Sequence, residues 1–115
     1  MRIENAKITN TSITMEDHGC LTFWITLEGG GWGCRFGGYC IGNGFLGATS
    51  FNAESGKGLE AMMRIMDMVG VSTWEDLEGH YVRCKIERIG DPIDEIGNIL
   101  KNKWFNIKEF FAKDG

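Results

Sequence analysis

At 115 residues the chain has the length of one domain, and its composition, 43% hydrophobic, 24% charged and 11% aromatic, is globular rather than disordered. A net charge of −4 argues against a binder of long nucleic acid, which needs a basic surface to displace counterions. No apolar run reaches the roughly 18 residues of a membrane span, so no membrane association is expected.

Residues 1–15 alternate polar and apolar positions, which is not the pattern of an export signal. Ile3, Ile8 and Ile13 suit one long strand or two short ones with a bulge, since Ile3 and Ile8 differ in parity. Glu16-Asp17-His18-Gly19 is turn chemistry. Cys20 to Leu27 then alternates cleanly, with Leu21, Phe23, Ile25 and Leu27 on one face and Trp24 among the residues on the other. After Gly29-Gly30-Gly31, Trp32 to Ile41 reads as a third strand, which closes an antiparallel meander.

Gly42 to Gly56 has no period and reads as a surface loop. A helix is expected from Lys57 to Val69, with an apolar stripe of Leu59, Met62, Met63, Met66 and Val69. Gly70 ends it, and Glu60 and Arg64 form an i,i+4 pair. Ser72 to Glu75 has capping-box spacing for a helical turn to Leu77. His80 to Ile89 returns to sheet, with Val82, Cys84 and Ile86 facing one way and Tyr81, Arg83 and Lys85 the other. Ile93 to Leu100 is read as a last strand with a bulge near Gly97, and Asn106 caps a short helix through Ala112. The expected fold is α+β: an antiparallel sheet of about five strands, one main helix on one face and a short C-terminal helix, all in a single domain.

Catalytic motifs do not emerge. His18 and His80 have no nucleophile nearby in sequence, and neither G-x-S-x-G nor H-E-x-x-H occurs. The chain is therefore read as a non-enzyme without a cofactor. Cys20, Cys34, Cys40 and Cys84 lack a C-x-x-C pair or zinc spacing and read as reduced thiols of a cytoplasmic protein. Ser55-Gly56-Lys57-Gly58 departs from a phosphate loop, because Phe51 and Gly58 replace the required glycine and Ser/Thr. What remains there is a helix start beside Lys57, favourable for an anion.

Nine of the 17 glycines fall between Gly29 and Gly47. In a regular strand, Trp32, Cys34, Phe36 and Cys40 would share one face, and Gly33, Arg35, Gly37 and Tyr39 the other. Glycine in a strand marks either a bulge or close approach by a ligand. Arg35 and Tyr39 beside bare backbone could hold a planar, charged guest. Asn98 to Phe105 forms a second cluster, in which Lys101, Lys103 and Trp104 could serve an anion and a base.

Ile3 to Ile8, Glu16 to Phe23, Gly33-Cys34-Arg35-Phe36-Gly37-Gly38-Tyr39, Trp74-Glu75-Asp76-Leu77 and Ile96 through Phe105 resemble, in the same order, a family of small phage and prophage counter-defence proteins. The nearest are the Thoeris anti-defence sponges for cyclic nucleotide signals. That resemblance implies a homo-oligomer, acting inside a bacterial host cell, that binds a small cyclic nucleotide without destroying it. Phe36, Tyr39, Asn98, Lys101 and Trp104 lie in the matching segments and become binding candidates. On this reading Arg35, Lys57 and Arg83 meet phosphates, while Phe36, Tyr39 and Trp104 stack on a base. The rival expectation is a protein-binding inhibitor of a bacterial defence complex, similar to an anti-CRISPR.

Overall fold

Alternation builds most of the sheet in the computed structural model, which describes residues 1–16, 19–44, 51–53, 56–88 and 90–113. Strands β1 (Arg2–Met15), β2 (Cys20–Gly29) and β3 (Trp32–Asn43) form the expected meander. They are followed by β4 (Asn52–Ala53), β5 (Tyr81–Ile86), β6 (Glu95–Asn98) and β7 (Trp104–Asn106). The strand order is β4-β3-β2-β1-β5-β6-β7, with every pair antiparallel. The sheet therefore has seven strands rather than five. The additions are the two short edge strands, β4 and β7, which carry too few residues to show a period. Asp17 and His18 of the expected turn, Ile89, and positions 45–50 and 54–55 of the expected loop lie outside the described residues.

Helices α1 (Lys57–Val69) and α2 (Ile107–Ala112) pack on one face of the sheet. Between α1 and β5 lies a one-turn 3-10 helix, Glu75–Leu77. Ala6, Ile8, Phe23, Ile25, Leu27, Phe36, Val82, Cys84 and Ile96 supply the sheet's side of the core. Helix α1 touches β3 near one edge and β6 and β7 at the other, so the sheet curves around it. No helix among the described residues is long and apolar enough to cross a membrane.

Three local readings change. The buried stripe of α1 is Gly58, Ala61, Met62, Ile65 and Met68, so Leu59 and Met63 are exposed instead. Close approach sets this rotation: a Cβ at Gly58 would come within 2.3 Å of Ile41 and 3.2 Å of the Cys40 carbonyl. Gly97 lies in regular register with Arg83 and Trp104, so there is no bulge at that point. The 3-10 turn starts from Trp74 with no side-chain cap, and it is Thr73, not Ser72, whose hydroxyl reaches it, accepting from the Asp76 amide at 3.2 Å. Gly70 (φ 97°) ends α1 as expected, its amide donating to the Met66 carbonyl. The Asn106 side chain accepts from the Glu109 amide and caps α2.

Candidate functional site

The glycine-rich strand β3 carries three of the eight expected site residues, Arg35, Phe36 and Tyr39. Between Trp24 and Thr22 of β2, strand β3 runs from Gly37 to Cys40, one residue longer than its partner. Gly37 (φ 118°) and Gly38 (φ 84°) absorb the extra residue in a left-handed bulge that other residues would adopt only under strain. The bulge reverses parity, so Tyr39 turns toward the same side as Phe36. Phe36, ahead of the bulge, lies in the core at 1% exposure. Tyr39 is half-buried and stacked on Phe111 of α2, with centroids 3.8 Å apart and planes 2° from parallel.

The flat group that lies against the bare ribbon is the chain's own Trp24. A Cβ at Gly38 would sit 2.3 Å from that indole, and the Arg35 guanidinium lies 3.7 Å from its centroid. Glu16 anchors the assembly. Its Oε1 accepts from Trp24 Nε1 at 2.8 Å and from the hydroxyls of Thr22 and Thr14, each at 3.1 Å. Arg35 Nη2 stands 3.7 Å away. The Trp24 hydrogen bond above all, then those of the threonines, holds the Glu16 carboxyl below its ordinary range. Arg35 is thus engaged by an indole and a carboxylate within its own sheet.

Arg83, Asn98, Lys101 and Trp104 do come together, at the β5-β6-β7 edge. Arg83 faces Gly97 across one ladder and Gly97 faces Trp104 across the next. The Trp104 ring lies over Gly97, where a Cβ would come within 2.4 Å, and reaches Arg83 and Lys85, each 4.6 Å from its centroid. Arg83 Nε donates to the Asn98 carbonyl at 2.7 Å and Nη2 to the Lys101 carbonyl at 2.8 Å. Asn98 Nδ2 donates to the Met68 carbonyl at 2.8 Å, while its Oδ1 accepts from the amides of Leu100 and Lys101. Arg83 and Asn98 thus fix the 99–103 turn and tie it to the last turn of α1, whose carbonyls lack helical partners. The Lys101 side chain is exposed beside them.

A cleft of about 340 Å³ opens between α1, β7 and α2. Lys57 and Trp104, both singled out in the sequence, line it together with Arg64, Phe110 and Lys113, and with the carboxylates Glu60 and Glu109. Lys57 Nζ lies 4.1 Å and the Arg64 guanidinium 5.3 Å from the Phe110 centroid. Arg64 also pairs with Glu60 at 2.7 Å. Lys57 and Lys113 have no ion pair among the described residues. No protein-family model, curated protein or solved structure matches this chain.

The cleft can attract an anion through Lys57, Arg64 and Lys113 and cover a ring with Trp104 or Phe110. Sequence reasoning passed over Arg64, Phe110 and Lys113. The i,i+4 spacing marks Arg64 as the partner of Glu60, and its i+7 position from Lys57 also places both cations on one side of α1. Among the described residues no group of three or more His, Cys, Asp and Glu side chains is placed to hold a metal ion.

Proposed function

We propose that this chain is a non-catalytic counter-defence protein that sequesters a small cyclic nucleotide signal, of cyclic ADP-ribose or cyclic oligonucleotide type. The observation that carries the reading is the meeting of Lys57 and Trp104 in the α1–β7–α2 cleft, where Arg64 and Lys113 add positive charge. The resemblance of the Lys103-Trp104-Phe105 segment to signal sponges supports it. Lys57, Arg64 and Lys113 meet phosphates, and Trp104 covers a base. At about 340 Å³ the cleft lies near the lower end of small-molecule sites, so it embraces only part of such a ligand. A second copy closing over the rest gives the slow release that sequestration needs, which is the role of a homo-oligomer in the host cytoplasm.

Calorimetry with cyclic ADP-ribose isomers and cyclic di- and trinucleotides tests the proposal. Binding to the wild-type protein is expected with one of them, weakened at least about tenfold by Lys57→Glu or Lys113→Glu. The ligand should be recovered intact after heating the complex. Absence of heat with every ligand at micromolar protein overturns the reading. The second reading, a protein-binding inhibitor, rests on Leu59 and Met63, adjacent on α1 and 54% and 66% exposed. Capture of a host defence protein lost in Met63→Glu, without bound nucleotide, would favour it.

A further inference from the structure

A second cavity, of about 250 Å³, lies where no residue of α1 contributes a wall. Trp32 and Cys34 of β3 line it on one side; Ile86, at the end of β5, and Ile93, ahead of β6, line it elsewhere. Ile86 and Ile93 are 6% and 7% exposed, so they present fixed branched aliphatic surface.

Trp32 is held in place before any ligand arrives. Its indole N–H donates to Glu4 Oε1 at 2.9 Å, and Glu4 Oε2 is 2.7 Å from Arg2 Nε. The ring lies against Gly29, where a Cβ would come within 2.2 Å of it. A ring so clamped has little rotamer freedom left to lose on binding.

The charges around this cavity are mutually paired. Arg88 Nε and Asp91 Oδ2 stand 3.7 Å apart at its border, and Glu4 is matched by Arg2. Burial pushes the Cys34 thiol up, so it stays uncharged at neutral pH. Nothing here calls for an anion, in contrast to the α1–β7–α2 cleft.

We propose that the Trp32 cavity binds one neutral, flat heteroaromatic ring system of indole or purine size. Three features select that class. A clamped indole and branched aliphatics offer apolar contact, and about 250 Å³ is room for a bicyclic ring. The proposal goes beyond the nucleotide reading and does not depend on it.

The test is a ¹H–¹⁵N titration with indole and with 9-methyladenine. Saturable shifts are expected at the Trp32 indole N–H and at the amides of Cys34 and Ile86. Trp32→Ala should weaken binding at least about tenfold, whereas Lys57→Glu should leave it unchanged. If Trp32→Ala does not fold, Cys34→Leu, which fills the cavity from β3, should weaken it instead. Bound probe should also slow alkylation of Cys34 by N-ethylmaleimide. No saturable shift at these positions with either probe, or equal binding by wild type and the folded variant, overturns the proposal.

Discussion

Three of the four tryptophans rest on glycine: Trp24 on Gly38, Trp104 on Gly97 and Trp32 on Gly29. A bare Cα lets an indole lie close to the sheet, and the neighbouring side chains then clamp it. Arg35 and Glu16 hold Trp24, Arg83 flanks Trp104 and Glu4 bonds Trp32. Three of the 17 glycines thus seat the protein's own indoles. Gly38→Ala meets both the Trp24 ring and a left-handed backbone (φ 84°), so it should cost on the order of 2 kcal/mol in urea unfolding. Gly30→Ala, with nothing within 4 Å, should stay within about 0.5 kcal/mol of wild type.

Glu16 gives a pH signature at the same scale. Its carboxyl is lowered in the folded protein from an ordinary value of 4.5, so the folded state favours the ionised form. The resulting stability is fully present above that value and is lost as pH falls through the lower, folded one. Glu16→Gln should therefore be less stable than wild type at neutral pH, with the difference shrinking below about pH 4.5. Unfolding midpoints measured from pH 3 to 7 would show this convergence. A difference that stays constant across the range would refute the role given to the Trp24 and threonine hydrogen bonds.

Between elements, Asn98 makes the connection on which the β6–β7 corner depends. It satisfies an end carbonyl of α1 and two amides of the following turn, so Asn98→Ala leaves three polar groups to find water. A loss of roughly 1–3 kcal/mol is expected, with faster amide exchange at Leu100 and Lys101 as the local readout. The meander, β5 and both helices were legible because their signals are local: alternation, the Gly70 stop and the Asn106 cap. The facing of α1 was not, because Leu59 and Met63 fit an apolar stripe as well as Ala61 and Ile65 do. Only contact with Ile41 decides between them, and that contact lies far away in sequence. At Gly37-Gly38 the sequence allows either a bulge or a ligand's approach; the structure has the bulge, which turns Tyr39 inward, with Trp24 lying against Gly38. Lys57 and Trp104 were recognised separately, but nothing local says that one cleft holds both.

Over the whole molecule, the sheet gathers distant segments around one helix. Net negative charge coexists with a cleft in which three cations face two carboxylates, so any attraction there is local and rests chiefly on Lys57 and Lys113. Strand β1 sits in the middle of the sheet: it pairs with β2, the next strand in the chain, but Arg2 also pairs with Ile86 and Lys7 with Tyr81. The N-terminal strand must therefore wait until most of the polypeptide has been synthesised before it gains its second neighbour. Closing such a long loop is slow, and stopped-flow refolding should take milliseconds or longer. Until it closes, the nascent chain carries an unpaired strand edge that invites association with other chains.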